Sequence, residues 1–230
     1  EPPSHPELLD YLATYLMEND RSLKRLNFHI MSSSTYRMSS VHAEPAVAGL
    51  IDRFPTTRMQ AETIWDNMLA VSGKLNRQTY GRSVFPPVSD DLVQSKRNAF
   101  WEQEKKESDW MRRGIYVAIK RTIHFPFFDV FNGTNSTSSQ GQRERTVVSP
   151  QALTMMNGEI PRQLSAAFHE RLVRECGDNW EKIIERAWLL AYGRPVTKKE
   201  KKVTLQFLSE VDVRTWCHAL FNSNEFVYLR

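Results

Sequence analysis

Cysteine is scarce in this chain: 230 residues hold two, Cys176 and Cys217. Two thiols build neither a disulfide scaffold nor a four-thiolate zinc site. Glycine (9) and proline (11) are too few and too scattered for a collagenous or low-complexity chain. No run reaches the ~18 apolar residues that a membrane span needs, and the longest apolar stretch, residues 183–192, is interrupted by charge. An excess of one charge is missing too. Lys and Arg number 31 against 27 Asp and Glu, a net charge of +4. That bias, with a pI of about 9.1, is far from that of a dedicated nucleic-acid binder. The N-terminus, Glu1-Pro2-Pro3-Ser4, has neither a Met nor a basic-then-apolar leader, so the chain is expected to be cut from a larger protein.

What is present describes a globular chain. The apolar fraction is 40% and the charged fraction 25%, with 12 Phe, 6 Trp and 7 Tyr, which excludes wholesale disorder. A chain of this length buries roughly 70% of the surface it exposes when unfolded. Apolar spacing places helices along both ends. Ser4-His5-Pro6-Glu7 reads as a capping box ahead of Leu8, Leu9, Leu12, Tyr15 and Leu16. Ser22 opens a second helix with Leu23, Leu26 and Ile30, and Thr57 a third that reaches Val71, with Gly73 as its left-handed stop. Ser89 or Asp90 caps a charged helix running toward Glu107. Residues 113–122 alternate apolar and polar, as a short strand does, although a helix also fits. Residues 132–142, rich in Asn, Gly, Ser and Thr, read as a mobile loop. Beyond 149 the pattern is helical: one helix from Pro150 to Gly158, one from Pro161 to Gly177, one from Trp180 to Gly193, one from the capping box Thr197-Lys198-Lys199-Glu200, and a last one capped by Asp212. The expected fold is mainly α: a single helical domain over residues 1–230, helical at 1–75 and 150–230, with an irregular middle at 76–149 and at most a small β element.

Motif tests exclude several chemistries. Cys217-His218 ends like a haem-attachment motif, but Arg214 stands where that motif needs its second Cys. His169-Glu170 is followed by Val173, where a zincin has its second His. Ser72-Gly73 lacks the Gly of a nucleophile elbow, and no Gly-rich phosphate loop occurs. No cofactor and no metal are therefore expected in this segment. Three groupings remain. Arg58, Glu62 and Asp66 fall at i, i+4 and i+8. They read as an intrahelical ladder or a lock onto a neighbouring helix rather than the opposed carboxylates of a glycosidase. Arg112, Arg113, Lys120 and Arg121 flank the possible strand, and Arg143 and Arg145 follow the loop. Converging guanidiniums suit carboxylate, phosphate or sulfate; alternatively they pair with Asp129 and the acids of 102–109. Asn224 and Glu225, set among aromatics, read as a C-terminal cap. Arg58, Glu62, Arg113, Asp129, Arg145 and Glu225 are the candidates for a buried polar network.

Several segments together resemble one family. They are Glu1-Pro-Pro-Ser-His-Pro-Glu-Leu-Leu-Asp10, Ser34-Thr35-Tyr36-Arg37, Ala61-Glu62 with Asp66, and Leu69 to Leu75. Arg112-Arg113 with Tyr116 and Lys120-Arg121, Phe128-Asp129, and Arg143-Glu-Arg-Thr146 with Pro150 to Leu153 and Asn157 belong to the same set, as do Leu189 to Pro195 and Cys217 to Phe226. The chain resembles the C-terminal domain of unknown function of large planctomycete-type proteins, where it follows a second uncharacterised domain and often a cytochrome-c-like domain. The stretch between Ser40 and Arg58 departs from the family pattern, and the connection from Leu208 to Trp216 is short for it. The resemblance implies an extracytoplasmic setting, in the periplasm or at the cell surface, with any haem held by other domains of the parent protein. The functional expectation is a non-catalytic structural or interaction module docking against the preceding domains. The alternative is a carbohydrate- or anion-binding domain, or a carbohydrate-active one, whose Arg cluster takes an anionic polysaccharide.

Overall fold

The computed structural model describes residues 2–40, 51, 53–95, 100–134 and 136–229. Its contacts gather the chain into two units, residues 1–57 with 228–230, and residues 58–227.

The first unit is built on a helical hairpin. Helix α1 (Pro6–Glu18) has Pro at its first position, where the missing N–H costs nothing and φ is already helical. That proline moves the cap to His5. Ser4, the expected cap, instead places its Oγ 3.0 Å from His5 Nδ1. Helix α2 (Leu23–Ser32) is capped by Ser22 as expected, its side chain accepting from Arg25 N. The turn between them puts Asp20 and Arg21 at φ +56° and +54°. The two helices are pinned by His29, which stacks on Tyr15 with ring centres 4.2 Å apart and meets Tyr11 Oη at 3.0 Å. Neither helix buries a single residue fully.

The second unit holds the core. The third helix starts later than the apolar spacing suggests. Residues Thr57–Arg58 are extended as β1, and α3 (Ala61–Ser72) begins after Gln60. The buried partners of Arg58, described below, override helical propensity there. Helix α3 buries Ile64, Trp65, Met68 and Leu69, and Gly73 ends it at φ +76°.

The middle contains only short elements among the described residues: α4 (Asp90–Ser95), α5 (Glu107–Trp110), a 3-10 turn (Gly114–Tyr116) and α6 (Pro126–Val130). The charged helix expected to run toward Glu107 is thus α4, with residues 96–99 outside the described set and α5 beginning separately. The alternation over 113–122 makes no strand. Single parallel bridges join Val84 to Val117 and Asn76 to Arg112. Consecutive Val117 and Ala118 are buried, while Ile115 (74%) and Ile119 (50%) are exposed. The facing segment runs into Pro86 and Pro87, which have no N–H to extend a ladder.

Aromatic residues fill the space between α3 and this middle segment. Fully buried Trp65 meets Phe125 edge-on at 5.3 Å and Trp110 at 6.1 Å, and its Nε1 donates to Arg112 O at 2.9 Å. Phe127 and Phe131 continue the cluster, their ring centres 5.0 Å apart. Such offset and edge-to-face pairs are favoured by the ring quadrupole.

The last third is helical, as the spacing predicts: α7 (Ser149–Asn157), α8 (Glu159–Cys176), α9 (Trp180–Tyr192), α10 (Lys198–Leu208), α11 (Val213–Phe221) and α12 (Asn224–Val227). Asn179, Thr197 and Asp212 cap α9, α10 and α11 through their side chains, and the capping box at Thr197 and Glu200 is complete. Helix α8 opens at Glu159 rather than Pro161, because a proline in the first turn has no intrahelical N–H bond to lose. Helix α8 is the hub, packing on α11, α3, α9 and α7. Phe168 on α8 stacks on Phe221 of α11 at 5.7 Å, and Phe221 meets Phe226 at 4.8 Å. The protein is mainly α. No helix among the described residues is long and apolar enough to cross a membrane.

Candidate functional site

The candidate residues separate into several local assemblies. Arg58 is buried. Its Nε donates to Thr146 O at 3.3 Å, its Nη1 to Met59 O at 3.0 Å, and its Nη2 to Asn132 Oδ1 at 2.7 Å and Phe131 O at 3.3 Å. Gln151 reinforces the joint, its Nε2 donating to Val130 O and Thr146 O. This cation ties three stretches of chain by solvating their carbonyls, and it leaves little donor capacity for a ligand.

Arg112 plays the same part elsewhere. Buried, it donates to the carbonyls of Arg82 (3.1 Å), Gln78 (3.1 Å) and Tyr80 (2.6 Å), and its guanidinium lies 3.8 Å from the centre of the Tyr116 ring. Its Nε has no hydrogen-bond partner among the described residues. Tyr80 N in turn donates to Tyr116 Oη, and Tyr80 is held at φ +64°. The arginine is therefore the template on which loop 78–82 is wound.

Glu62 and Asp66 sit one turn apart on α3 and take different arginines. Asp66 Oδ2 accepts from Arg113 Nε at 3.0 Å, and its Oδ1 accepts from Gly114 N at 2.6 Å. Glu62 Oε2 accepts from Arg143 Nη1 at 2.7 Å, and Arg143 Nη2 reaches Thr134 Oγ1 at 2.5 Å. The pair locks α3 to the middle segment, but Arg143 holds the place that the sequence argument gave to Arg145. Arg145 is exposed and has no side-chain partner among the described residues. Arg113 is itself 59% exposed, so the expected network is a set of surface-bordering clasps and not one buried lattice.

The C-terminal candidates split as well. Glu225 belongs to a cluster that the sequence did not announce. Arg194 lies between Glu225 (Nε to Oε1, 2.5 Å) and Glu200 (Nη2 to Oε1, 2.6 Å), joining the start of α10 to α12. The Arg194 hydrogen bonds, helped by the capping contacts from Thr197, hold the Glu200 carboxyl down at about 2. The carboxylates in turn push Arg194 further up. Asn224 is exposed at the start of α12. The local capping expected of it is done by its neighbours: Asn222 Nδ2 donates to His218 O and Met155 O, and Ser223 Oγ accepts from Phe226 N. Burial pushes the Cys217 thiol well above its ordinary range, so the residue behaves as a small apolar group.

Asp129 and Arg121 lie together in a polar groove of about 410 Å³, whose lining includes Arg121, His124, Asp129, Thr137, Gln140 and Glu144. Asp129 Oδ1 is 2.8 Å from His124 Nδ1, and His124 Nε2 is 3.1 Å from Ser136 Oγ. Arg121 is exposed and has no side-chain partner among the described residues. Sequence reasoning missed His124 and Ser136. Their one local signal is a His five residues before an Asp, with Pro126 starting a helical turn between them. The serine comes from the loop beyond Gly133, a proximity that spacing alone does not reveal. Among the described residues, no three His, Cys, Asp or Glu side chains gather in a way that would hold a metal ion.

Comparison with known families matches residues 1–208 to the family PSD1, protein of unknown function DUF1553, and the chain belongs to that family. The match ends at Leu208. No curated protein and no solved structure matches the chain.

Proposed function

We propose that the chain is an interaction module that docks, through its N-terminal hairpin, against the preceding domain of a multidomain exported protein, in the periplasm or at the cell surface. One observation carries this reading. Helices α1 and α2 bury none of their residues fully, while Leu9, Met17, Leu23, Phe28 (74%) and Met31 stand exposed on them. Helices of 13 and 10 residues are marginal by themselves, and large apolar side chains gathered on a small element mark an interaction surface. The occupant follows from the family arrangement that the sequence resembles, in which this domain comes after a second uncharacterised domain. The hairpin is the part of the chain nearest to it in sequence. The extracytoplasmic setting rests on the same resemblance.

The test is to express that preceding domain from the same gene and titrate it against this chain by calorimetry. Saturable 1:1 binding is expected, weakened at least tenfold by L9E with F28D while the main melting transition of the chain stays in place. Absence of binding by the unaltered chain would refute the proposal.

Carbohydrate or anion binding is the second reading. Arg58, Arg112, Arg113 and Arg143 are engaged in structural bonds; of Arg121 and Arg145, both unpaired among the described residues, it is Arg121 that lines the polar groove, which directs this reading to Arg121. A glycan array probed at two salt concentrations tests it; an acidic glycan retained at low salt and lost on R121A is the supporting result.

A further inference from the structure

We propose that Ser136, His124 and Asp129 form a nucleophilic relay, and that it hydrolyses acyl esters of small, hydroxyl-bearing ligands seated in the groove that His124 and Asp129 line. The geometry carries the assignment. An acyl-transfer serine needs an acceptor within hydrogen-bond reach, and that acceptor needs a third group to fix its tautomer. His124 Nε2 lies 3.1 Å from Ser136 Oγ, and Asp129 Oδ1 lies 2.8 Å from His124 Nδ1. An ionised carboxylate only accepts hydrogen bonds, so Asp129 keeps the imidazole proton on Nδ1 and turns the Nε2 lone pair toward the serine. His124 is anchored by the residues that follow it: α6 starts at Pro126, and Asp129 sits on that helix, its N–H bonded to Phe125 O at 3.1 Å. Phe125, Phe127 and Phe128 of the same segment are buried in the aromatic core, so the base and its orienting group stand on a rigid footing.

The substrate class follows from the lining. Gln140, Thr137, Glu144 and Arg121 border the groove, and among the described residues no aromatic wall closes it. Such a surface suits a ligand rich in hydroxyl groups better than an aryl or long aliphatic ester. Arg121 supplies a cation on the same groove, suited to an oxygen that gains charge during the reaction.

In the first half-reaction Ser136 Oγ bonds to the acyl carbon and its proton passes to His124 Nε2. The carbonyl electron pair moves onto the oxygen, which the Arg121 cation of the groove stabilises. When the carbonyl re-forms, the ester C–O bond breaks and the leaving oxygen takes the proton from Nε2 as an alcohol. Water then adds to the acyl carbon, giving its proton to Nε2. The serine oxygen departs with that proton, and a carboxylic acid is released. Ester and water become acid and alcohol, with no other reactant. Ser136 and His124 are the catalytic residues here; Asp129 is a positioning residue. These groups are distinct from the hairpin surface, so the docking reading and this one stand or fall separately.

The test uses the full chain with a fluorophosphonate probe, followed by peptide mass mapping, and with p-nitrophenyl acetate. The probe is expected to mark Ser136 in the folded chain, to leave S138A labelled, and to fail on S136A and H124A. D129N is expected to lower kcat on p-nitrophenyl acetate at least tenfold with KM nearly unchanged, and D129E to recover part of it. A purely structural aspartate would instead alter the melting temperature and leave that split absent. The S136C variant gives a second route: its new thiol should react with iodoacetamide faster than Cys176 and slow on adding H124A. No label on the folded chain, label persisting in S136A, or a thiol in S136C that is indifferent to H124A would each overturn the proposal.

Discussion

At the scale of single residues, arginine does most of the joining. Arg58 and Arg112 are buried among backbone carbonyls, which a planar five-donor guanidinium satisfies in several directions at once. Lysine has three donors at one point and cannot span the carbonyls of residues 78, 80 and 82. Arg112→Lys should therefore destabilise the fold by about 2–3 kcal/mol, the value of hydrogen bonds to a charged donor, read as a drop in the denaturant midpoint. Stacking on Tyr116 makes Y116L a partner change whose effect should be non-additive with it. Arg58 was legible as a member of a buried polar network and Arg112 as part of an Arg-rich region. The burial of Arg112 was not legible, because which carbonyls lack partners is decided by distant loops.

At the scale of elements, the stops and the Ser22, Thr197 and Asp212 caps followed the sequence, while the Ser4 cap, the Thr57 start and the tertiary clasps did not. Ser22, Asn179, Thr197 and Asp212 cap through their side chains, since a cap bonds to backbone only two or three residues away. The Arg194 cluster adds a long-range duty to one of these caps, for Glu200 serves both Thr197 and Arg194. Its carboxyl is held at about 2, below the ordinary 4.5, so the stability it contributes is full above pH ~4.5 and is lost as pH falls toward 2. Denaturant melts at pH 7 and pH 3 should show a larger loss for the unaltered chain than for E200Q, which carries no proton-linked charge. The 3-10 turn at Gly114 is a close approach of a different kind. A Cβ there would lie 2.8 Å from Glu62 Cβ and 2.9 Å from its Cα. Gly114→Ala should push the turn off α3, strain the Asp66 bond to Gly114 N, and cost about 1–3 kcal/mol; thermal melting checks this.

At the scale of the whole molecule, the second unit is organised by α8 and by the aromatic cluster around Trp65. Cys217, fully buried on α11, reports on how that core opens. With its thiol pushed up by desolvation, it should resist a thiol-reactive dye in the folded state. It should react only as fast as the core unfolds, giving the same dependence on denaturant as the loss of Trp fluorescence. Fast labelling of Cys217 in native buffer would mean that α11 opens separately from α8.

Local sequence determined what local chemistry can decide. The mainly α class, the helices of the last third, and the stops at Gly73 and Gly193 in left-handed conformation follow from 3.6-residue spacing and from residues that act on their own backbone. Membership of the DUF1553 family was also readable, from segments spread along the chain. The tertiary structure alone decided the rest. It drew Arg58 into an extended strand where spacing suggested helix, and exposed Ile115 and Ile119 where alternation suggested a strand. It paired Glu62 with Arg143 and left Arg145 outside the expected network, and it brought Ser136 to His124 across twelve residues of sequence. In each case the deciding partner lies far along the chain, and the energy of burying and satisfying a charge or a hydroxyl exceeds the few tenths of a kcal/mol by which local propensities differ.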